Sequence, residues 1–195
     1  MSTGMWPAAW HDEGVDDDAL IAAMRAGDRQ AFGSLVERET RAVYRTCLRI
    51  LGRPQDAEDV TQESFVAAYR AIGNYRGDGS LRGWLMKIAT RRAFRHLAQR
   101  RPEAELDAVA EPVLADGAAD PDRLVVAAEA RAEIRDAVAG LPDPYREVVA
   151  LRFFGDLSLA EVAEATGRPI NTVKTHLRRG LERLRPVVAA EDPDR

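Results

Sequence analysis

The chain has 195 residues, of which 46% are hydrophobic and 31% are charged, and its net charge is −4. These values fit a globular protein with room for one typical domain or two small ones. The sequence contains no apolar run long enough to cross a membrane and no signal-peptide pattern, so we expect no membrane insertion. Cys47 is the only cysteine, which excludes an internal disulfide and favours a cytoplasmic location.

The small net charge hides a strong segregation of charges along the chain. Residues 1–18 and 102–122 carry acids and no Lys or Arg, whereas residues 81–101 carry Lys and Arg and no acid. A second basic run lies between Lys174 and Arg185, where Glu182 is the only acid. Because local runs of one sign decide nucleic-acid binding more than the total does, nucleic acid remains a candidate partner.

Four helices are predicted in the first half of the chain, after a tail. Residues 1–15, which include Trp6 and Trp10, show no period and are predicted to be disordered. Apolar spacing and the Gly and Pro breaks then predict helices over 16–27, 28–51, 55–72 and 80–101.

The third predicted helix is apolar along one side and carries acids in the first half of the other. Asp56, Asp59, Gln62 and Glu63 share this polar side. The helix dipole favours acids near a helix start. The pattern is therefore consistent both with a solvated first turn and with an acidic docking face for a basic partner.

A glycine-rich loop at 73–80 precedes the fourth predicted helix. Tyr75 and Arg76 in this loop are candidates for contacting an extruded base. The loop is not a P-loop, because the required Lys-Ser/Thr does not follow it. In the helix, Trp84 is predicted to anchor the core rather than to stack on a base. The helix also presents an exposed basic patch suited to phosphates, formed by Arg91, Arg92 and Arg95.

The acidic, Ala- and Pro-rich stretch at 102–122 is predicted to be a flexible linker between two domains. A helix over 123–139 follows it. Asp143 is predicted to cap the next helix, with Pro144 in its first turn. The core there is expected to come from Tyr145, Val148, Val149, Leu151, Phe153 and Phe154.

No strand pattern of useful length appears, so the predicted fold class is all-α. It consists of two small helical domains joined by the acidic linker. The predicted divisions are a tail at 1–15, an N-terminal domain at 16–101, the linker at 102–122, a C-terminal domain at 123–187 and a tail at 188–195.

The stretch at 157–185 has the pattern of a helix-turn-helix. Ser158 and Glu161 form an S-x-x-E capping box at the start of its first helix. Gly167 is predicted to end that helix in the left-handed conformation. The C-terminal domain is therefore predicted to end in a helix-turn-helix.

The second helix of this motif has one apolar side and one polar, basic side. Its buried face is predicted to be Ile170, Val173, Leu177, Leu181 and Leu184. Its outer face is predicted to be Asn171, Thr172, Thr175 and Arg179, flanked by Lys174 and Arg178. Asn171 or Thr172 is also predicted to cap the helix. An ordinary solvated hairpin mixes charge signs, so this one-signed face favours DNA binding, where Arg or Lys can also read a guanine edge.

The sequence predicts no catalytic or metal site. His11, His96 and His176 lack metal-ligand spacing, and no nucleophile–base set is apparent. Cys47 lies in an apolar helix pattern that favours a buried structural role. We therefore expect a protein that is not an enzyme and that needs no cofactor.

Three stretches together resemble a known family. They are AEDVTQESFVAAYRAI at 57–72, SLRGWLMKIA at 80–89, and the segment at 141–185 that contains the helix-turn-helix. They resemble the short, two-domain extracytoplasmic-function (ECF) group of the sigma-70 family of bacterial RNA polymerase sigma factors. The resemblance covers about 18–186, and the combination is specific where the helix-turn-helix alone is not.

The resemblance implies binding to core RNA polymerase and to two promoter elements. Docking on the clamp helices of the largest polymerase subunit is expected through Glu58, Asp59, Gln62 and Glu63. Melting of the −10 element and capture of a flipped base are expected through Asn74, Tyr75, Arg76, Arg91, Arg92 and Arg95. Reading of the −35 element is expected through Asn171, Thr172, Lys174, Thr175, Arg178 and Arg179. Many such factors are held by an anti-sigma factor, which is a further candidate partner.

The chain departs from the family pattern in the fourth predicted helix. After Ile88-Ala89 the family usually carries an Asn and, four residues on, an Asp, whereas this chain has Arg91 and Arg95. The change predicts either a different −10 preference or more backbone contact and less base reading.

Two other functions compete with this interpretation. A transcriptional regulator of the response-regulator output type has a very similar helix-turn-helix, but it needs a receiver or sensor domain with a parallel sheet, which the first hundred residues do not predict. A helical interaction protein, such as an anti-sigma adaptor, would bind no DNA, and the basic helix from Lys174 argues against it.

Overall fold

The structure is a computed structural model that describes residues 17–75, 77, 79–99 and 121–190, without the side chains of 121–127 and 188–190. All regular structure within these ranges is helical, which confirms the all-α prediction. The predicted tail at 1–15 and nearly all of the predicted linker lie outside the described residues, as do Arg76, Arg100 and Arg101.

The described part of the first half contains four α-helices. They are α1 (Asp17–Arg25), α2 (Arg29–Leu51), α3 (Pro54–Ala71) and α4 (Leu81–Gln99), with a 3-10 turn at Ile72–Asn74 before the loop that leads to α4. Local chemistry sets their ends. Asp28 Oδ1 accepts the Gln30 N–H at 2.8 Å and so caps α2, while Gly52 ends it with a φ of 72°. Ser80 caps α4 by accepting the Gly83 N–H at 3.1 Å.

Residues 121–190 of the second half also form four α-helices. They are α5 (Pro121–Ala139), α6 (Tyr145–Phe153), α7 (Leu159–Thr166) and α8 (Ile170–Ala190). The prediction that Asp143 caps α6 is wrong. The Asp143 carboxylate instead accepts from Arg146 Nη2 at 2.7 Å, and Pro144 occupies the cap position without a side-chain bond.

The main hydrophobic core is continuous between the two halves. Val43, Leu85 and Met86 of the first half belong to the same buried cluster as Leu151 and Val162 of the second. α4 packs against both α6 and α7. The residues on either side of the predicted linker therefore form one packed body.

Three apolar residues of the second half are more exposed than the sequence predicted. Phe153 is 47% exposed, and Ile170 and Leu181 are each 42% exposed, whereas Val173 and Leu184 are buried as expected. Phe153 and Leu181 line an open groove between α5, α6 and α8. Phe153 is the last residue of α6 and Ile170 is the first residue of α8, so both lie at helix ends.

Candidate nucleic-acid interface

α7 and α8 form the predicted helix-turn-helix. The Ser158 N–H donates to Glu161 Oε2 at 2.7 Å, and the Glu161 N–H donates to Ser158 Oγ at 3.2 Å, which completes the capping box. Gly167 ends α7 with a φ of 68°. This left-handed residue turns the chain so that α8 can begin three residues later, which gives the motif its compact turn.

The predicted capping of α8 by Asn171 or Thr172 is wrong. The helix begins earlier, at Ile170, and the Thr172 and Val173 N–H groups donate to the Pro169 carbonyl at 2.9 and 3.1 Å. Because neither side chain is used as the cap, Asn171 remains exposed and Thr172 half-buried at the N-terminal end of the helix.

The outer face of α8 is basic and accessible. Lys174, Arg178 and Arg179 are exposed, and Thr175 is half-buried, with its hydroxyl donating to the Asn171 carbonyl at 2.9 Å. Arg178 forms an exposed ion pair with Glu182 at 2.7 Å. Because this ion pair is exposed and weak, Arg178 can exchange the Glu182 carboxylate for a phosphate. The whole face therefore stays available to a polyanion.

α8 is held against α6 by Tyr145. The Arg183 guanidinium lies 4.6 Å from the centre of the Tyr145 ring, and the His176 ring meets the same ring edge-on at 5.7 Å. Burial, together with the charges of Arg168 and Arg179, lowers the pKa of His176. This shift favours the neutral imidazole, so His176 contributes less positive charge to the basic face.

The acidic face expected on α3 is present. Glu58, Asp59, Gln62 and Glu63 are all exposed, while Val60, Ser64 and Phe65 on the opposite side are buried. Glu63 Oε2 accepts from Arg92 Nη1 at 2.8 Å. The face is therefore accessible, but one of its carboxylates is paired with an arginine of α4.

The loop before α4 differs from the expectation for a base-contacting loop. Asn74 is exposed, but Tyr75 is only 5% exposed and packs against the Trp84 ring with 5.2 Å between centroids. Its hydroxyl donates to the Gly79 carbonyl, and Arg25 donates to its backbone carbonyl. The expectation of an accessible Tyr75 is therefore wrong for this conformation, because its ring is needed in the core around α1.

The predicted patch of Arg91, Arg92 and Arg95 lies at the surface, but two of its arginines are paired with acids. Arg91 and Arg95 are exposed, whereas Arg92 is half-buried and paired with Glu63. Arg91 donates to Glu147 Oε1 of α6 through Nε at 3.1 Å and Nη2 at 2.8 Å. The sequence could not reveal these pairs, because both bring together residues from different helices.

Glu147 is a functional candidate that the sequence reasoning missed. It is only 8% exposed and lies between Arg91 of the first half and Arg168, whose Nη1 donates to Glu147 Oε2 at 2.6 Å. The one available signal is an acid in the first turn of α6, directly before the apolar residues Val148 and Val149. An acid buried beside them needs a cationic partner.

The electrostatics of this cluster are dominated by burial and by the two arginines. Burial alone would raise the pKa of Glu147, but Arg168 and Arg91 outweigh it and hold the pKa below its ordinary value of 4.5. Lys87 lies nearby and donates from Nζ to the Ala165 carbonyl at 2.8 Å. Burial lowers the pKa of Lys87, and although Glu147 opposes this, Arg91 and Arg168 add to it.

The described ranges contain no group of three or more His, Cys, Asp or Glu side chains placed to hold a metal ion. None of the helices in the same ranges has the length and apolar character needed to cross a membrane. Cys47 is fully buried, and burial raises the pKa of its thiol to about 11.

The chain matches two described protein families. Sigma-70 region 2 matches residues 35–103, and Sigma-70, region 4 matches residues 131–184. The ECF RNA polymerase sigma factor SigW of Bacillus subtilis is 34% identical over 174 residues, which cover 85% of this chain and 92% of that protein. The RNA polymerase sigma-H factor of Pseudomonas aeruginosa is 32% identical, over 86% of this chain and 91% of that one.

A solved structure supports the fold. CnrH, determined in complex with the cytosolic domain of CnrY, superposes with a TM-score of 0.61 at 24% identity, covering 89% of this chain and 97% of that chain.

The basic helix-turn-helix and the two matched family regions define a DNA-binding regulatory protein of transcription initiation. The chain belongs to the ECF group of the sigma-70 family. It is a sigma factor, which binds core RNA polymerase and promoter DNA and directs transcription initiation. The alternative of a response-regulator output protein is not favoured, because the family matches lie in both halves of the chain.

Proposed function

We propose that this sigma factor divides its tasks between the two halves of the chain. α1 to α4 dock on the polymerase and open the −10 element, and the helix-turn-helix of the C-terminal domain reads the −35 element. The main support is the presence of two accessible faces of opposite sign, the acidic face of α3 and the basic face of α8. A basic face suits the phosphates of a duplex, whereas an acidic face would be repelled by them.

The residues assigned to each task are those that match the family pattern. Polymerase docking is assigned to Glu58, Asp59, Gln62 and Glu63. Contacts to the −10 element are assigned to Asn74, Arg76, Arg91, Arg92 and Arg95, with Tyr75 contributing only if it leaves its place against Trp84. Contacts to the −35 element are assigned to Asn171, Thr172, Lys174, Thr175, Arg178 and Arg179.

The setting of this function is also part of the proposal. The protein acts in the cytoplasm, where RNA polymerase and DNA are found, and it needs neither a cofactor nor a chemical reaction of its own. An anti-sigma factor is a further partner in this proposal. CnrH, which has the same fold, was determined with the cytosolic domain of CnrY, and the groove that contains Phe153 and Leu181 offers apolar surface to such a partner.

Run-off transcription with purified core polymerase tests the division of tasks. Arg179→Ala is expected to reduce initiation at promoters with a −35 element and to leave core binding intact. Asp59→Lys is expected to weaken core binding. Arg45→Ala and Glu37→Lys, at exposed positions of α2 outside both faces, are the matched controls. Equal loss of both activities in Arg179→Ala and in Asp59→Lys would contradict the division.

A further inference from the structure

The loop that is assigned to the −10 element is held at both ends by α1. One end of the loop is Tyr75, whose backbone carbonyl accepts from Arg25 Nη2 in the last turn of α1. The other end is Leu81, the first residue of α4, whose N–H donates to Asp17 Oδ2 at 3.4 Å. Asp17 and Arg25 are the first and last residues of α1, so the whole helix lies between the two ends of the loop.

α1 acts as a rigid spacer between these ends. It has 9 residues, which makes it about 13 Å long at 1.5 Å per residue. Its buried face consists of Leu20, Ile21 and Met24, each at most 7% exposed. This face shares a small core with Tyr75 and Leu81. Because α1 is packed in place, the separation of the two ends of the loop is fixed with it.

Asp17 supplies a bond that α4 cannot make within itself. The first N–H groups of a helix have no partner inside the helix. Ser80 satisfies the Gly83 N–H, and Asp17 satisfies the Leu81 N–H from a different helix. Leu81 is fully buried, so its N–H has little access to water as another partner. The negative charge of Asp17 also suits the positive end of the α4 dipole.

The Asp17 carboxylate is itself oriented from α2. Its Oδ1 accepts from Arg38 Nη2 at 2.9 Å, and Arg38 Nε donates to Glu39 Oε1 at 3.0 Å. The Glu39 side chain is only 6% exposed, whereas those of Asp17 and Arg38 are 37% and 33% exposed. The buried Glu39 therefore fixes the arginine, and the arginine directs Asp17 Oδ2 toward Leu81.

Tyr75 is the anchor at the start of the loop. Its ring packs against Trp84, and its hydroxyl donates to the Gly79 carbonyl. Gly79 lies against α7, where an added Cβ would stand 2.6 Å from Glu164 Cβ. Asn74, directly before Tyr75, is exposed. The anchor therefore holds Tyr75 inside while its neighbour is presented to solvent.

We propose that α1 is a positioning element for this loop, in which Asp17 and Arg25 set the separation of its ends and thereby the direction in which Asn74 faces the −10 element. This inference rests on the proposed function, because it concerns the loop assigned there to the −10 element. The Arg25 side chain is exposed and the pair of Asp17 with Arg38 is partly exposed. Loss of either bond therefore costs little stability and acts through the placement of the loop.

Base capture by the holoenzyme tests the role of Asp17. The probes are a labelled single strand with the non-template −10 sequence of a promoter found by run-off transcription, and the same strand with one abasic site at each position in turn. Base capture is measured as the dissociation constant of the abasic strand over that of the intact strand, at the position where this ratio is largest. Asp17→Ala is expected to lower the ratio about threefold or more, the size of one lost hydrogen bond, with unchanged affinity for the abasic strand.

Conservative variants separate the bond from the bulk of the side chain. Asp17→Asn keeps one accepting oxygen, so its ratio is expected to lie between those of the unaltered protein and Asp17→Ala. Arg25→Ala is expected to lower the ratio as well, and Arg25→Lys to restore most of it, because an ammonium group also donates to a carbonyl. Glu37→Ala and Arg45→Ala, at exposed positions of α2, are the matched controls and should leave the ratio unchanged.

Three results would overturn the inference. The first is an unchanged ratio in Asp17→Ala. The second is an equal loss of affinity for the intact and the abasic strands, because it would show a general defect rather than a misplaced loop. The third is a large fall in the urea unfolding midpoint of Asp17→Ala, which would assign Asp17 to the stability of the fold.

Amide hydrogen exchange separates this inference from the proposed function. Exchange of the Leu81 N–H, followed by NMR in the free protein, needs neither polymerase nor DNA. It is expected to quicken about threefold or more in Asp17→Ala and to stay unchanged in Glu37→Ala, and an unchanged rate in Asp17→Ala would also overturn the inference. If the unaltered holoenzyme shows no preference for an intact base, the proposed −10 function fails instead, and the Leu81 exchange rate still shows whether α1 holds the loop.

Discussion

Arg92 Nη1 lies 2.8 Å from Glu63 Oε2, so an arginine assigned to promoter DNA is paired with a carboxylate assigned to polymerase. The pair joins α3 to α4 at the surface, with the Glu63 side chain 59% exposed. An ion pair this exposed contributes little to stability, because water screens it and both side chains lose entropy. Its two members are therefore free to have separate functions.

Glu63→Ala and Arg92→Ala are expected to change the free energy of unfolding by no more than about 1 kcal/mol each. Glu63→Ala should lower the affinity for core polymerase, whereas Arg92→Ala should lower the stability of the open promoter complex. Urea unfolding, core-binding titrations and promoter-complex lifetimes measure the three quantities. If Arg92→Ala weakens core binding as much as Glu63→Ala does, polymerase recognises the pair rather than the carboxylate.

Lys174 is expected to contribute to promoter binding through phosphate rather than through bases. Lys174→Ala should weaken binding of the holoenzyme to all promoters alike and reduce the slope of log affinity against log salt by about 1. Arg45→Ala, at an exposed position of α2, is the control and should leave the slope unchanged. A change of promoter preference in Lys174→Ala, with an unchanged slope, would instead assign Lys174 to base reading.

Two helical glycines are expected to respond oppositely to replacement by alanine. A Cβ at Gly33 in α2 has nothing within 4 Å, so Gly33→Ala should stabilise the protein by about 0.5–1 kcal/mol through helix propensity. A Cβ at Gly180 in α8 would stand 2.7 Å from Val149 Cγ2, and the resulting overpacking costs about 1–3 kcal/mol. Thermal unfolding measures both changes. Stabilisation by Gly180→Ala would contradict the prediction, because it would show that α8 moves away from α6 with little loss of free energy.

The lowered pKa of Glu147 makes part of the stability depend on pH. Its carboxyl has a lower pKa in the folded protein than in the unfolded chain, so the stabilisation is complete above about pH 4.5 and is lost as the pH falls through the lowered value. The unaltered protein should therefore exceed Glu147→Gln in unfolding free energy at neutral pH, and the difference should shrink below about pH 4.5. Urea unfolding of both proteins over this range, with Glu37→Gln as control, measures the effect. A difference that stays constant with pH would show that Glu147 is not charged in the fold.

Most helix ends could be predicted because each depends on a signal within a few residues. Ser158 and Glu161 bond across one turn, and Gly167 takes a conformation that glycine adopts cheaply. The failures at Asp143 and Thr172 have a common cause. In both places another hydrogen bond replaces the predicted cap. The Asp143 carboxylate accepts from Arg146, and the Thr172 N–H donates to the Pro169 carbonyl.

The relation between the two halves could not be predicted from the sequence. Arg91 and Glu147 are 56 residues apart, and the sequence around each residue does not indicate that the other is its partner. The burial of Tyr75 depends on Trp84 and on α1, and the exposure of Phe153 depends on which helices cover the end of α6. Patterns of charge and apolar spacing identify which faces a helix has, but they do not determine which other helix covers them.

The close approach of Gly79 to Glu164 requires the surfaces of the two halves to fit each other. Gly79 has a φ of 97°, and any side chain there would collide with α7. A hybrid factor that joined the first half of this chain to the helix-turn-helix of a relative would meet a different surface at this point. Recombination within the family is therefore expected to preserve matched pairs of halves, and an engineered change of promoter choice is better made on the outer face of α8 than by exchange of the whole half.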